Sequence, residues 1–151
     1  MQKQHEPYSI IDFSRSKFSM HGTVNANIEG KILTFEITGP FNDQLMNSLL
    51  EYQAKIFKDW NPQGKFGILS SVKKNMLLSP SAFDIWAETV RQSIQIHQNC
   101  FHVWAISNDV EGRSFVVPKM QIIYQKAGLD IKFFENESLA RAFLEKALEL
   151  A

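Results

Sequence analysis

The architecture of this chain turns on Lys65-Phe66-Gly67-Ile68-Leu69-Ser70-Ser71-Val72. The stretch is short, nearly uncharged and apolar through its middle. The turn-forming residues Asn61-Pro62-Gln63-Gly64 precede it, and Lys73 and Lys74 follow it. A brief apolar run between such signals reads as a strand covered on both faces, as in a parallel or mixed sheet. Helical patterns on either side place it inside a β-α-β-α series.

Upstream, two alternating runs flank Glu29-Gly30: Thr23 to Ile28, within a stretch that begins at Phe18, and Lys31 to Thr38. Leu33, Phe35 and Ile37 share one face of the second run. Period-two alternation around a glycine-bearing turn predicts an antiparallel hairpin. Gly39-Pro40-Phe41 ends it, and Asn42 is a good helix cap. Leu45, Leu49, Tyr52 and Ile56 then recur at helical spacing, to about Asp59. Further upstream, Tyr8 to Phe13 is short and apolar, an edge strand or docking arm. Residues 1–17 are expected as that arm, and 18–151 as a single domain.

Downstream, Met76-Leu77-Leu78 makes the next loop unusually apolar. Ser79-Pro80 is a helix start, a serine cap with proline at the first helical position. Phe83, Trp86, Val90 and Ile94 mark one helical face, and His97-Gln98-Asn99 ends it. Phe101 to Ser107 predicts a second inner strand. The following helix either begins near Pro118 or, if it starts at Ser114, is kinked there, because a mid-helix proline removes a hydrogen bond and clashes. It stops at Ala127-Gly128. Asp130 to Phe134 is a short strand. Asn136 then caps a last helix, with Glu137 in its first turn, where the helix dipole favours it. The order β-β-α-β-α-β-α-β-α predicts an α/β fold: a mixed sheet with an N-terminal antiparallel hairpin followed by alternating α and β elements.

This order resembles the STAS domain (sulphate transporter and anti-sigma factor antagonist), in particular the small single-domain bacterial STAS-like proteins. The residues that carry the likeness are HGTVNANIEGKILTFEITGPFN at 21–42, FGILSSV, FHVWAIS and DIKFFENESLARAFL at 130–144. The resemblance spans about residues 18–150. It implies a mixed sheet flanked by helices, acting as a regulatory or interaction module and not as a catalyst. In the anti-sigma antagonist branch, a serine at the start of the second helix is phosphorylated beside an aspartate. Ser79 or Ser81 stands at that position here, with a leucine where the family has its aspartate.

Composition narrows the function classes. Sixteen basic residues balance sixteen acidic ones, so no general field attracts nucleic acid or anionic lipid. Zero net charge also lets copies of the chain approach one another. Cys100 is the single cysteine, which allows no internal disulfide and fits a reducing compartment. The first seven residues lack the apolar core of a signal peptide, and no apolar run reaches the roughly 20 residues of a membrane span. A cytoplasmic location is the expectation.

Each candidate site has a structural and a functional reading. Ser79 is explained as a helix cap worth about 1 kcal/mol. A phosphate there would meet the positive helix end, with Lys73 and Lys74 nearby. His97, Cys100 and His102 form an H-x2-C-x-H pattern in which a strand would point Cys100 and His102 to one face. Zinc takes three or four protein ligands and no second pair is present, so no metal is expected. No glycine-rich phosphate loop or paired carboxylates appear, so neither an enzyme nor a cofactor is expected. Trp86 and Trp104 read as core. Trp60 and the loop Met76-Leu77-Leu78 are the candidate ligand or partner contacts. The expected function is a non-enzymatic cytoplasmic STAS-like regulatory or protein-interaction module. Its partner would be an unknown protein or a second copy of the chain. The alternative is a carrier or sensor of a small apolar or lipid-like ligand.

Overall fold

A computed structural model describes residues 8–9 and 22–150. Among the described residues, six strands form one sheet: β1 (Tyr8–Ser9), β2 (Thr23–Glu29), β3 (Ile32–Thr38), β4 (Phe66–Lys73), β5 (Cys100–Ile106) and β6 (Lys132–Phe134). They lie in chain order across the sheet. The first three are antiparallel, and β3 through β6 run parallel. The helices are α1 (Asp43–Trp60), α2 (Pro80–Gln92), α3 (Ile94–His97), α4 (Arg113–Lys126) and α5 (Glu137–Glu149).

Chain-order stepping of the parallel strands has a consequence for the layers. Right-handed crossovers that all step the same way put their helices on the same face. Thus α1, α2 and α4 share one face over the larger core, which contains Phe35, Tyr52, Ile56, Val90, Trp104 and Met120. Helix α5 follows the last strand and is free to cover the other face. There a smaller core joins Ile32, Leu69, Val103 and Ala105 to Ala140 and Leu144. The run from Phe66 to Val72 is accordingly buried throughout, its neighbours β3 and β5 pairing along its whole length. A Cβ on Gly67 would lie 3.0 Å from Leu144 Cδ2, so glycine at this position lets α5 approach the sheet closely.

The local signals explain most element ends. The predicted hairpin is β2–β3, turned through Gly30 at φ 58°, a left-handed conformation that suits glycine. Asn42, Ser79 and Asn136 accept hydrogen bonds from the amides of Leu45, Ala82 and Leu139, capping α1, α2 and α5. Two helices depart from the pattern. Helix α2 ends at Gln92, short of the expected His97, and the chain restarts as α3. Ser93 Oγ donates to the carbonyl of Thr89 at 2.5 Å, and Thr89 Oγ1 to that of Ile85. Such hydroxyls compete for helix carbonyls and bend the helix. Helix α4 starts at Arg113 and runs through Pro118. Ser114 and Pro118 are both exposed, so water can take the place of the missing amide donor.

Of the stretch Tyr8 to Phe13, expected as an edge strand or docking arm, Tyr8–Ser9 pair with Ala26 and Asn25. The rest of the 1–17 arm and Phe18 to His21 lie outside the described residues. Among the described residues, no helix is long and apolar enough to cross a membrane.

Candidate ligand-binding cavity

Three loops meet at the carboxyl ends of β3, β4 and β5. The Gly39 amide donates to the Asn75 carbonyl and the Phe41 amide to that of Leu77, both at 2.8 Å. From the other side, the Met76 amide donates to the Glu111 carbonyl, and the Glu111 amide returns a bond to Lys74. This lacing holds the loop 74–78 between its neighbours. It turns Met76 inward, 2% exposed, and leaves Leu77 39% exposed against Gly112.

Behind these loops the larger core is incompletely filled. A cavity of about 100 Å³ lies between the sheet and helices α1, α2 and α4. Its walls are mostly aliphatic and aromatic, including Phe35, Ile68, Phe83, Trp86, Trp104 and Met120. Among the described residues, no aspartate, glutamate, lysine or arginine lines it. The polar lining is Gln53, Ser70, Thr89, Ser93, His102 and Tyr124. A mostly apolar wall with a few placed polar groups is the ordinary chemistry of a small-molecule site.

The inner strands supply the polar cluster. Strand alternation points Ser70 and His102 to the same side of the sheet, and the register pairs Ser70 with Trp104 and Ile68 with His102. Ser70 Oγ and His102 Nε2 are diagonal neighbours 3.1 Å apart, the donor being set by the imidazole tautomer. The His102 ring stacks on Trp104 at 5.5 Å and meets Tyr124 edge-on at 6.2 Å. Trp104 Nε1 donates to the Tyr124 hydroxyl at 3.0 Å. Burial, above all, raises the pKa of the Tyr124 phenol, with the Trp104 bond opposing, so it stays protonated.

Cys100 shares this side of β5 and packs partly buried on the larger core. Burial pushes its thiol up to about 12, the backbone bond from Ile68 opposing. A thiol held protonated in this way is a poor nucleophile at neutral pH. The side chain of His97 lies outside the described residues. Among those described, no group of three or more His, Cys, Asp or Glu is placed to hold a metal ion.

The candidates from the sequence divide. Met76 and Leu78 line the cavity, whereas Leu77 faces outward. Trp60 packs with Phe57 and Phe66, ring centroids 6.0 and 5.4 Å away, and does not line the cavity. Trp86 and Trp104, read from the sequence as core, belong to both core and wall. Ser79 and Ser81 both donate to Asp43 Oδ1, at 3.2 and 2.7 Å. A carboxylate therefore reaches these serines from the start of α1, a neighbour 36 residues from Ser79 in the chain. Sequence reading did not single out Ser70, Tyr124 or Asp43. Ser70, a polar residue in the most apolar strand, was the one available signal.

Compared with family models, curated proteins and solved structures, the chain matches none.

Proposed function

We propose that this protein binds a small apolar molecule between its sheet and its crossover helices, as a non-enzymatic STAS-like carrier or sensor. The carrying observation is the cavity of about 100 Å³, with no aspartate, glutamate, lysine or arginine among its described lining residues. Protein cores are normally packed with few voids larger than a water molecule. Size also selects the ligand. The volume is below the roughly 150 Å³ of an apolar cavity that holds benzene, so the occupant is at most one ring or a short branched chain and not a two-tailed lipid.

Native mass spectrometry of freshly purified protein, followed by melting with a panel of one-ring compounds, tests this. Binding at one hundred times Kd stabilises by about 2.7 kcal/mol. For a domain of this size that is a rise of roughly 5–10 °C in Tm. A protein that retains no ligand and whose Tm is indifferent to the whole panel refutes the reading.

A surface feature favours a second reading, a module working by protein contact. Phe115 on α4 is 74% exposed, and Leu77 lies against Gly112 one turn away. Exposed aromatic and aliphatic groups of this kind suit a protein partner or a second copy of the chain. Sizing of wild type against Phe115→Ser tests it: an unchanged strict monomer in both counts against self-association through this patch.

A further inference from the structure

We infer that the cavity's ligand is a neutral one-ring molecule carrying a single hydrogen-bond-accepting oxygen, and that Tyr124 is the group that binds this oxygen. This rests on the cavity being a binding site and names the chemistry of its occupant. The polar groups of the wall differ in what their hydrogens meet. Thr89 Oγ1 and Ser93 Oγ spend their hydrogens on carbonyls of Ile85 and Thr89. The Trp104 indole spends its only hydrogen on the Tyr124 oxygen. Ser70 Oγ and His102 Nε2 bond to each other, the tautomer setting which one donates, and Gln53 is half-buried, so solvent can serve its amide. The Tyr124 hydroxyl differs. Its oxygen accepts from Trp104, which leaves its own hydrogen to donate, and no acceptor among the described residues takes it.

Tyr124 is 2% exposed, so water in bulk does not serve that hydrogen either. A buried donor of this kind is satisfied by a ligand's acceptor. Its Trp104 bond fixes the phenol in place and polarises it, so the site is organised before the ligand arrives. The same wall excludes anions. With no lysine or arginine among the described lining residues, a carboxylate would be desolvated without a counter-charge. Ketones and ethers on one ring remain.

Three matched probes test this on the full chain: acetophenone, α-methylstyrene, which replaces the carbonyl by a methylene of the same shape, and benzoate. Binding is read from the fluorescence of Trp86 and Trp104, which line the cavity. The expected order is acetophenone tighter than α-methylstyrene by roughly tenfold, with benzoate weakest. In Tyr124→Phe/Trp104→Phe, which removes the phenol together with the indole hydrogen that its loss would set free, the difference between the first two collapses, and in Thr89→Val, whose hydroxyl hydrogen is already spent, it persists. Equal affinity of wild type for acetophenone and α-methylstyrene overturns the inference while leaving the binding site standing. Absence of binding by both sinks the site itself. Should that double variant fail to fold, the comparison on wild type still decides, and retention of the difference in the folded double variant removes Tyr124 from the role.

Discussion

The contact between Gly67 and α5 sets up a double-mutant cycle with a definite sign. Leu144 is fully buried, and the three atoms nearest a Cβ built on Gly67 are all its own: Cδ2 at 3.0 Å, Cδ1 at 3.3 Å and Cγ at 3.6 Å. Leu144→Ala removes all three, and a buried leucine truncated to alanine costs about 3 kcal/mol. In a domain of this size that lowers Tm by roughly 6–12 °C. Gly67→Ala alone gains about 0.4–1 kcal/mol from a stiffer unfolded chain, but overpacking against Leu144 costs roughly 1–3 kcal/mol, so the net is destabilising by about 1 kcal/mol. In the Leu144→Ala background the obstructing atoms are gone and the new methyl enters the vacated space. There the same substitution stabilises, and the coupling is about 1.5 kcal/mol or more, well outside the roughly 0.5 kcal/mol scatter of independent sites. Urea denaturation of the four proteins measures it, provided their m values agree. Simple additivity, with Gly67→Ala as harmful in the truncated background as in wild type, would mean that α5 does not rest on Gly67. Ligand affinity should be unchanged across the cycle, because the cavity lies on the opposite face of the sheet.

Three further outcomes are expected. Ser79→Ala should lower stability by about 1 kcal/mol through loss of the α2 cap, while the exposed Ser81→Ala stays within about 0.5 kcal/mol, both read from urea midpoints. The Cys100 thiol is raised from its ordinary 9.0 to about 12, so the unfolded chain loses this proton first as pH rises. The thiol's contribution is complete below pH 9 and fades between 9 and 12, and a comparison of urea midpoints at pH 7 and pH 10 should show a shallower loss in Cys100→Ala than in wild type. Val116→Phe, on the α4 wall of the cavity, should fill the void and abolish the ligand-induced rise in Tm while circular dichroism stays native.

Local chemistry set the elements. The caps at Asn42, Ser79 and Asn136, the glycine turn at Gly30 and the apolar run from Phe66 to Val72 each act over a few residues, and so they could be read directly. The alternating order then implied the layered α/β fold with its leading hairpin. Side-chain competition for backbone carbonyls at Thr89 and Ser93 broke α2 early, an effect that hydrophobic spacing does not register. The cavity is a product of long-range packing. Ser70 meets His102 because two parallel strands adopt one register, and Tyr124 reaches Trp104 because the α4 crossover returns over the same face as α1 and α2. Strand register and crossover packing depend on contacts between residues far apart in the chain, so no short stretch carries them.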